Sequence, residues 1–141
     1  MRMKPLLLCI MAVTLLALSA CAGTPSQASV ELSCDDFTSN NHIKKEVEIA
    51  AGGVVTVDLC ENRTTGFQWS ETAEITDTAV IEQTSYKFTA AAGDLAGAAG
   101  EGKWTLKALK KGTTKVSMEY SQDWAGGLKS EWTFELTVVV K

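Results

Sequence analysis

The feature that most constrains this chain is a period-two alternation of apolar and polar residues that recurs from its middle to its end. It is clearest at the C-terminus, where Trp132, Phe134, Leu136, Val138 and Val140 alternate with Glu131, Thr133, Glu135 and Thr137. Successive side chains of a strand point to opposite faces, so each such segment has one face to bury and one to leave wet. Val116, Met118 and Tyr120 alternate with Lys115, Ser117 and Glu119, and Trp104, Leu106 and Ala108 with Lys103, Thr105 and Lys107. Val55, Val57 and Leu59 form another stripe, Ile43, Val47 and Ile49 an earlier one, and Phe67 and Trp69 share a face; Ala79 to Phe88 reads as a less regular strand. Gly52-Gly53 and Lys111-Gly112 supply turns. No long amphipathic helix interrupts the series. Short strands spaced by Gly and polar turns imply an all-β antiparallel sandwich or barrel. A Trp just after an early loop suits an immunoglobulin-like sandwich. In that architecture alternate loops gather at one end, so segments far apart in sequence can form one surface.

The first 20 residues have a different character. Arg2 and Lys4 precede an apolar stretch from Leu6 to Leu18, which ends in Leu18-Ser19-Ala20-Cys21. This is the order of a signal peptide, and the stretch is too short and too early for a spanning helix. Leu-Ser-Ala-Cys resembles the bacterial lipobox, which implies cleavage before Cys21 and acylation of its sulfur. Each buried methylene of the acyl chains adds about 0.8 kcal/mol to a membrane anchor. The implied organisation is a signal peptide at 1–20, a lipidated Cys21 with a flexible, small and polar tether to residue 30, and one domain over 31–141. The expected location is exported and lipid-anchored to the cell-envelope membrane, with the domain a monomer.

The whole chain carries 13 Lys+Arg against 17 Asp+Glu, a net charge of −4. Loss of residues 1–20 removes Arg2 and Lys4 and no acid, leaving a balance of −6. No basic footprint for nucleic acid is present. Of the four cysteines, Cys9 leaves with the signal and Cys21 is the lipid site; Cys34 and Cys60 then remain as a pair in an exported domain, most economically a disulfide. A metal site would need further soft ligands, and His42 is the only histidine. The same scarcity argues against Ser-His-Asp or Cys-His catalysis. Asp35-Asp36 reads as solvated surface, and the Gly-rich stretch at 93–102 leads into a strand rather than a helix, so it is not a phosphate cradle. Neither a cofactor nor an enzyme is expected.

Three loops stand out. Asn62-Arg63-Thr64-Thr65-Gly66-Phe67, followed by Gln68-Trp69, is a short polar connection between two apolar strands. Gly97-Ala98-Ala99-Gly100 lies in the long small-residue loop that ends at Trp104. Ser121-Gln122-Asp123-Trp124-Ala125-Gly126-Gly127 follows Tyr120, and its Trp124 breaks the alternation. Trp124 reads equally as a binding anchor or as a lid folded back on the sandwich edge.

Loops of these three types, in this order on a small exported β-domain, resemble the chagasin family of cysteine protease inhibitors, over about residues 43–140. The family's first motif is Asn-Pro-Thr-Thr-Gly-Tyr/Phe with a Trp two residues on; only its Pro differs here, replaced by Arg63. In the second, Gly-x-Gly/Pro-Gly, Ala99 departs. In the third, Arg-Pro-Trp, Gln122 and Asp123 replace the first two residues and Trp124 remains. The resemblance implies an immunoglobulin-like sandwich that blocks papain-like cysteine proteases reversibly with three loops. Thr64-Thr65-Gly66 would wedge over the catalytic Cys and His, flanked by Gly97–Gly100 and by Gln122, Asp123 and Trp124. Phe67 and Trp69 would support the wedge from below. Without proline at 63 and 123, both loops should be less rigid. Cys60 precedes the wedge, so a Cys34–Cys60 bridge would brace it. The alternatives are a structural or adhesive envelope lipoprotein, binding a protein, peptide or sugar, that kept the fold and lost inhibition, or a sugar- or peptide-binding module that uses Trp104 and Trp124.

Overall fold

The computed structural model describes residues 23–93 and 95–141. The expected signal peptide and the expected lipid site at Cys21 lie outside the described residues. The strands are β1 (Gln27–Leu32), β2 (His42–Ile49), β3 (Val54–Glu61), β4 (Phe67–Trp69), β5 (Glu74–Ile75), β6 (Ile81–Thr89), β7 (Gly100–Ala108), β8 (Gly112–Gln122) and β9 (Trp132–Val140). One sheet has the order β1-β3-β7-β6, and the other β2-β9-β8-β4, with β5 also paired to β8. The two pack as a sandwich around the apolar faces that the alternation marks. Val55, Val57 and Leu59 of β3, Trp104, Leu106 and Ala108 of β7, and Phe134, Leu136 and Val138 of β9 are all fully buried.

The expectation of antiparallel sheets needs one amendment. β1 runs parallel to β3, and β2 parallel to β9, while the remaining pairs are antiparallel. Both parallel pairs arise where a strand near the N-terminus adds to a sheet edge, a long-range placement that alternation alone does not specify. Part of the segment expected as a tether is strand, since Gln27 to Val30 belong to β1. Val30 and Leu32 turn their side chains to the core, whereas Ser29 and Glu31 face out.

One short helix was not anticipated. α1 (Cys34–Ser39) is a single capped turn and a half, in which Ser33 and Asp36 form a reciprocal capping box. Its buried Phe37 stacks on Trp132, with ring centroids 5.1 Å apart, and tilts against Trp69 at the same distance. The helix plugs the end of the sandwich where β3 finishes. There Cys34 and Cys60 form a disulfide, with Cα atoms 5.2 Å apart. β3 departs from alternation at this end: Asp58, Leu59, Cys60 and Glu61 are all buried, with Cys60 bonded to Cys34 of α1 and Asp58 paired with Lys103 of β7 at 3.1 Å. Replacing Cys34 and Cys60 together by Ala should lower the unfolding free energy by about 3 kcal/mol, measured in urea against the oxidised protein. An unchanged denaturation midpoint would refute this contribution.

Candidate functional site

The first loop begins where β3 runs out of partners and must turn into the opposite sheet. Asn62 caps a turn of 3-10 helix over Arg63–Thr65, and Gly66 closes it at φ 78°. Asn62 spends every polar group on this turn and its surroundings. Its Oδ1 accepts from the Thr64 amide at 3.2 Å and the Thr64 hydroxyl at 2.6 Å. Its carbonyl accepts from the Thr65 hydroxyl at 2.7 Å, and its amide donates to the Tyr120 hydroxyl at 2.9 Å. Its Nδ2 reaches across to the carbonyl of Gly97, 3.0 Å away, and so ties the first loop to the second. Thr64 and Thr65 are left exposed at the tip.

Beneath the tip lies a cluster of rings. Phe67 stacks on Tyr120 at 5.3 Å. Trp69 is buried, tilts against Tyr120 at 5.1 Å, and donates from Nε1 to the Cys60 carbonyl at 2.9 Å. Both rings thus support the loop from below, and only the half-buried Phe67 keeps some surface.

Arg63 is not loose. Its Nε donates to Glu61 Oε1 at 2.9 Å, and a terminal nitrogen donates to the Tyr86 hydroxyl at 2.8 Å. The Tyr86 hydroxyl in turn donates to Glu61 Oε2 at 2.7 Å. The guanidinium lies 4.1 Å from the centroid of the Phe88 ring. Residue 63, where the family has proline, is thus bonded through its side chain to Glu61 and Tyr86. Neither Glu61 nor Tyr86 was singled out in the sequence. The available signal was a glutamate closing the run Val57-Asp58-Leu59-Cys60, where an apolar residue would otherwise be expected.

The third loop folds toward the first. The Trp124 indole lies over Gly66, so close that a Cβ at residue 66 would sit 2.4 Å from its ring. It remains 51% exposed, so it caps the first loop while still offering a broad apolar face. The loop closes through its own bonds: the Gln122 amide donates to the Leu128 carbonyl at 2.8 Å, and the Leu128 amide to Gln122 Oε1 at 3.0 Å. Gln122 therefore braces the loop, while Asp123 is exposed.

In the second loop Gly97 and Ala99 are exposed and Ala98 is half-buried. Gly100 is buried and opens β7 opposite Glu61; a Cβ there would meet the Thr89 carbonyl at 2.2 Å, so Gly100 offers no contact surface. Two exposed apolar side chains that the sequence reading passed over, Leu95 and Leu128, lie on the second and third loops. Trp104 is fully buried, which removes it from any sugar- or peptide-binding pair with Trp124.

Residues 48–138 match the chagasin family peptidase inhibitor I42 model. The chain belongs to this family. Among solved structures it resembles the cysteine protease inhibitor EhICP2 of Entamoeba histolytica, with 23% identity and a TM-score of 0.63 over 83% of this chain and 99% of that one. It is similar to PbICP-C, solved in complex with falcipain-2, at 16% identity and a TM-score of 0.55, covering 82% and 98% of the two chains. Amebosin gives 23% identity and a TM-score of 0.52 over 82% and 98%. A comparison with curated proteins gives no match. The sandwich of this inhibitor family is thus the fold of the chain.

Both tyrosines of the site are held above the ordinary phenol value of 10.0: Tyr86 by burial and then by the bond and charge of Glu61, Tyr120 chiefly by burial. Unfolded, each titrates near its ordinary value, so above about pH 10 the unfolded chain releases these protons first and stability falls as pH rises. In an alkaline titration tyrosinate absorbance should appear only together with loss of near-ultraviolet circular dichroism. A normal titration in the still-folded protein would contradict this environment. Gly66→Ala should cost about 1 kcal/mol or more through the positive φ and the displaced indole. In a nitrogen–proton spectrum it should move the Trp124 indole signal more than that of Trp104.

Proposed function

We propose that this protein is a reversible inhibitor of papain-like cysteine proteases that occludes the active-site cleft with its three tied loops. The observation that carries the reading is the Asn62–Gly97 bond together with the Trp124–Gly66 contact. Through them three distant segments form one tip, with Thr64 and Thr65 at its summit. Family membership and the likeness in fold to PbICP-C, which was solved with falcipain-2, support the same reading.

The chemistry is that of a plug. Thr64-Thr65-Gly66 enters the cleft above the catalytic cysteine and histidine. The loop is a helical turn, closed by the Thr65 amide to Asn62 and the Gly66 amide to Arg63. It does not offer an extended peptide bond, so it fills the cleft without being cut. Gly97, Ala98 and Leu95 press on one flank, and Trp124, Asp123 and Leu128 on the other. A turn already fixed by hydrogen bonds loses little entropy on docking, and the half-exposed indole supplies apolar area that is buried only in the complex. The domain is exported and held at the cell envelope by lipid on Cys21, and it acts as a monomer.

Titration of papain and of a cathepsin L-like enzyme tests the reading. Competitive inhibition is expected from the wild type and should be lost in Thr65→Arg, whose bulk and charge block the tip while the fold is retained. Inhibition unaffected by that change would remove the first loop from the contact. Trp124→Ala should weaken inhibition by about 2 kcal/mol. A drop in melting temperature with unchanged affinity would make Trp124 a lid alone.

A further inference from the structure

Glu61 is an unexpected residue at its position. Its side chain is 0% exposed, and a buried carboxylate is tolerated only when both oxygens are satisfied. Here Oε1 takes the Arg63 Nε–H and Oε2 takes the Tyr86 hydroxyl, while Tyr86 also accepts from Arg63. The three groups form a closed triangle. Space for it is built into β7: a Cβ at Gly102 would come within 2.6 Å of Glu61 Oε2. Phe88 floors the guanidinium at 4.1 Å, and burial of the charge is outweighed by Glu61 and Tyr86, so the Arg63 pKa is raised above its ordinary value.

We propose that Arg63 is the positioning residue of the first loop, its guanidinium locked to Glu61 and Tyr86 so that the turn carrying Thr64 and Thr65 holds its docking shape before a protease arrives. This rests on the inhibitor reading of the same site. Arg63 opens the turn, and its carbonyl accepts the Gly66 amide at 3.1 Å. Fixing the Arg63 side chain against β6 therefore fixes the backbone that closes the turn. Asn62 restrains the loop toward Gly97 and Tyr120, and Arg63 restrains it toward Tyr86 and Phe88, so the tip is held from two directions. A plain ion pair that only neutralised Glu61 would support the sheet without governing the turn.

The first position of a helical turn accepts proline, which restrains φ through its ring rather than through a side-chain bond. This provides a rescue. Removing Arg63 alone would strand the Glu61 charge, so the test uses Glu61→Gln/Arg63→Ala beside Glu61→Gln/Arg63→Pro in the full chain. Two quantities are read: hydrogen exchange of the Gly66 amide relative to β8 and β9 amides in the free protein, and the rate of release from papain. In the alanine pair Gly66 exchange and release should each rise by about tenfold, with core exchange unmoved, and the proline pair should recover most of both losses. Gly66 exchange that stays at the wild-type level in the alanine pair overturns the proposal, whatever inhibition does. Equal losses in the alanine and proline pairs overturn it too, because restraint of the residue 63 backbone is then not what matters. Wild-type protein that fails to inhibit either protease overturns the inhibitor reading instead, and the exchange measurement still decides whether Arg63 holds the turn.

Discussion

The structure turns on Trp69. Its ring sits in the sandwich where the first loop delivers the chain from one sheet to the other, tilted on Phe37 and Tyr120 and edge-on to Trp104 at 6.4 Å. Its one polar atom is satisfied by the Cys60 carbonyl. A large ring with its N–H paired can be buried at little polar cost. Here it joins β3, β4, β7, β8 and α1 in one contact set. The loop above it therefore stands on rigid packing, and the precision of the tip is inherited from the core.

On that base the tip is assembled mostly from polar bonds, as a turn of Asn, Thr and Gly must be. Asn62 supplies bonds in three directions, and the Glu61–Arg63–Tyr86 triangle supplies a fourth. The arrangement places a fully buried carboxylate, paired with a part-exposed guanidinium, directly beneath the exposed tip. Such a pair adds less to stability than apolar packing of similar volume would, but its geometry is directional. Direction is what the proposed docking loop would need. A hydrophobic side chain at residue 63 could fill the same space without fixing the turn.

Much of this was legible in the alternation of the strands. The buried stripes of β3, β7, β8 and β9 follow directly from the apolar positions, because side-chain direction in a strand has a fixed period. The Asn62–Gly66 turn was legible from turn chemistry, and the Cys34–Cys60 bridge from the count of cysteines left in a domain expected to be exported. Strand partners were harder to read. Nothing local to Gln27–Leu32 states that it joins β3 in parallel, and its small and polar first residues, Gln27-Ala28-Ser29, resemble a tether. The Arg63 contacts were hidden for a related reason: Glu61, Arg63, Tyr86 and Phe88 come together only through the β3–β7–β6 register, which a reading of residue 63 as a lost proline does not reach. Trp124 could not be assigned between anchor and lid because its position over Gly66 lets it be both.

The parallel pairing of β1 with β3 has a consequence for how the molecule is presented. Gln27 lies opposite Val54, at the start of β3, whereas Asn62 follows the end of β3. Eight residues of strand separate these levels, roughly 25 Å at the usual rise. β1 thus starts at the pole opposite the three-loop tip, and Lys141 is there too, since its carbonyl accepts from the Ala51 amide. With the proposed lipid on Cys21, the long axis of the sandwich becomes a stalk. On the proposed reading, the three-loop tip would then lie at the end of the domain far from the bilayer, with the length of β3 between them.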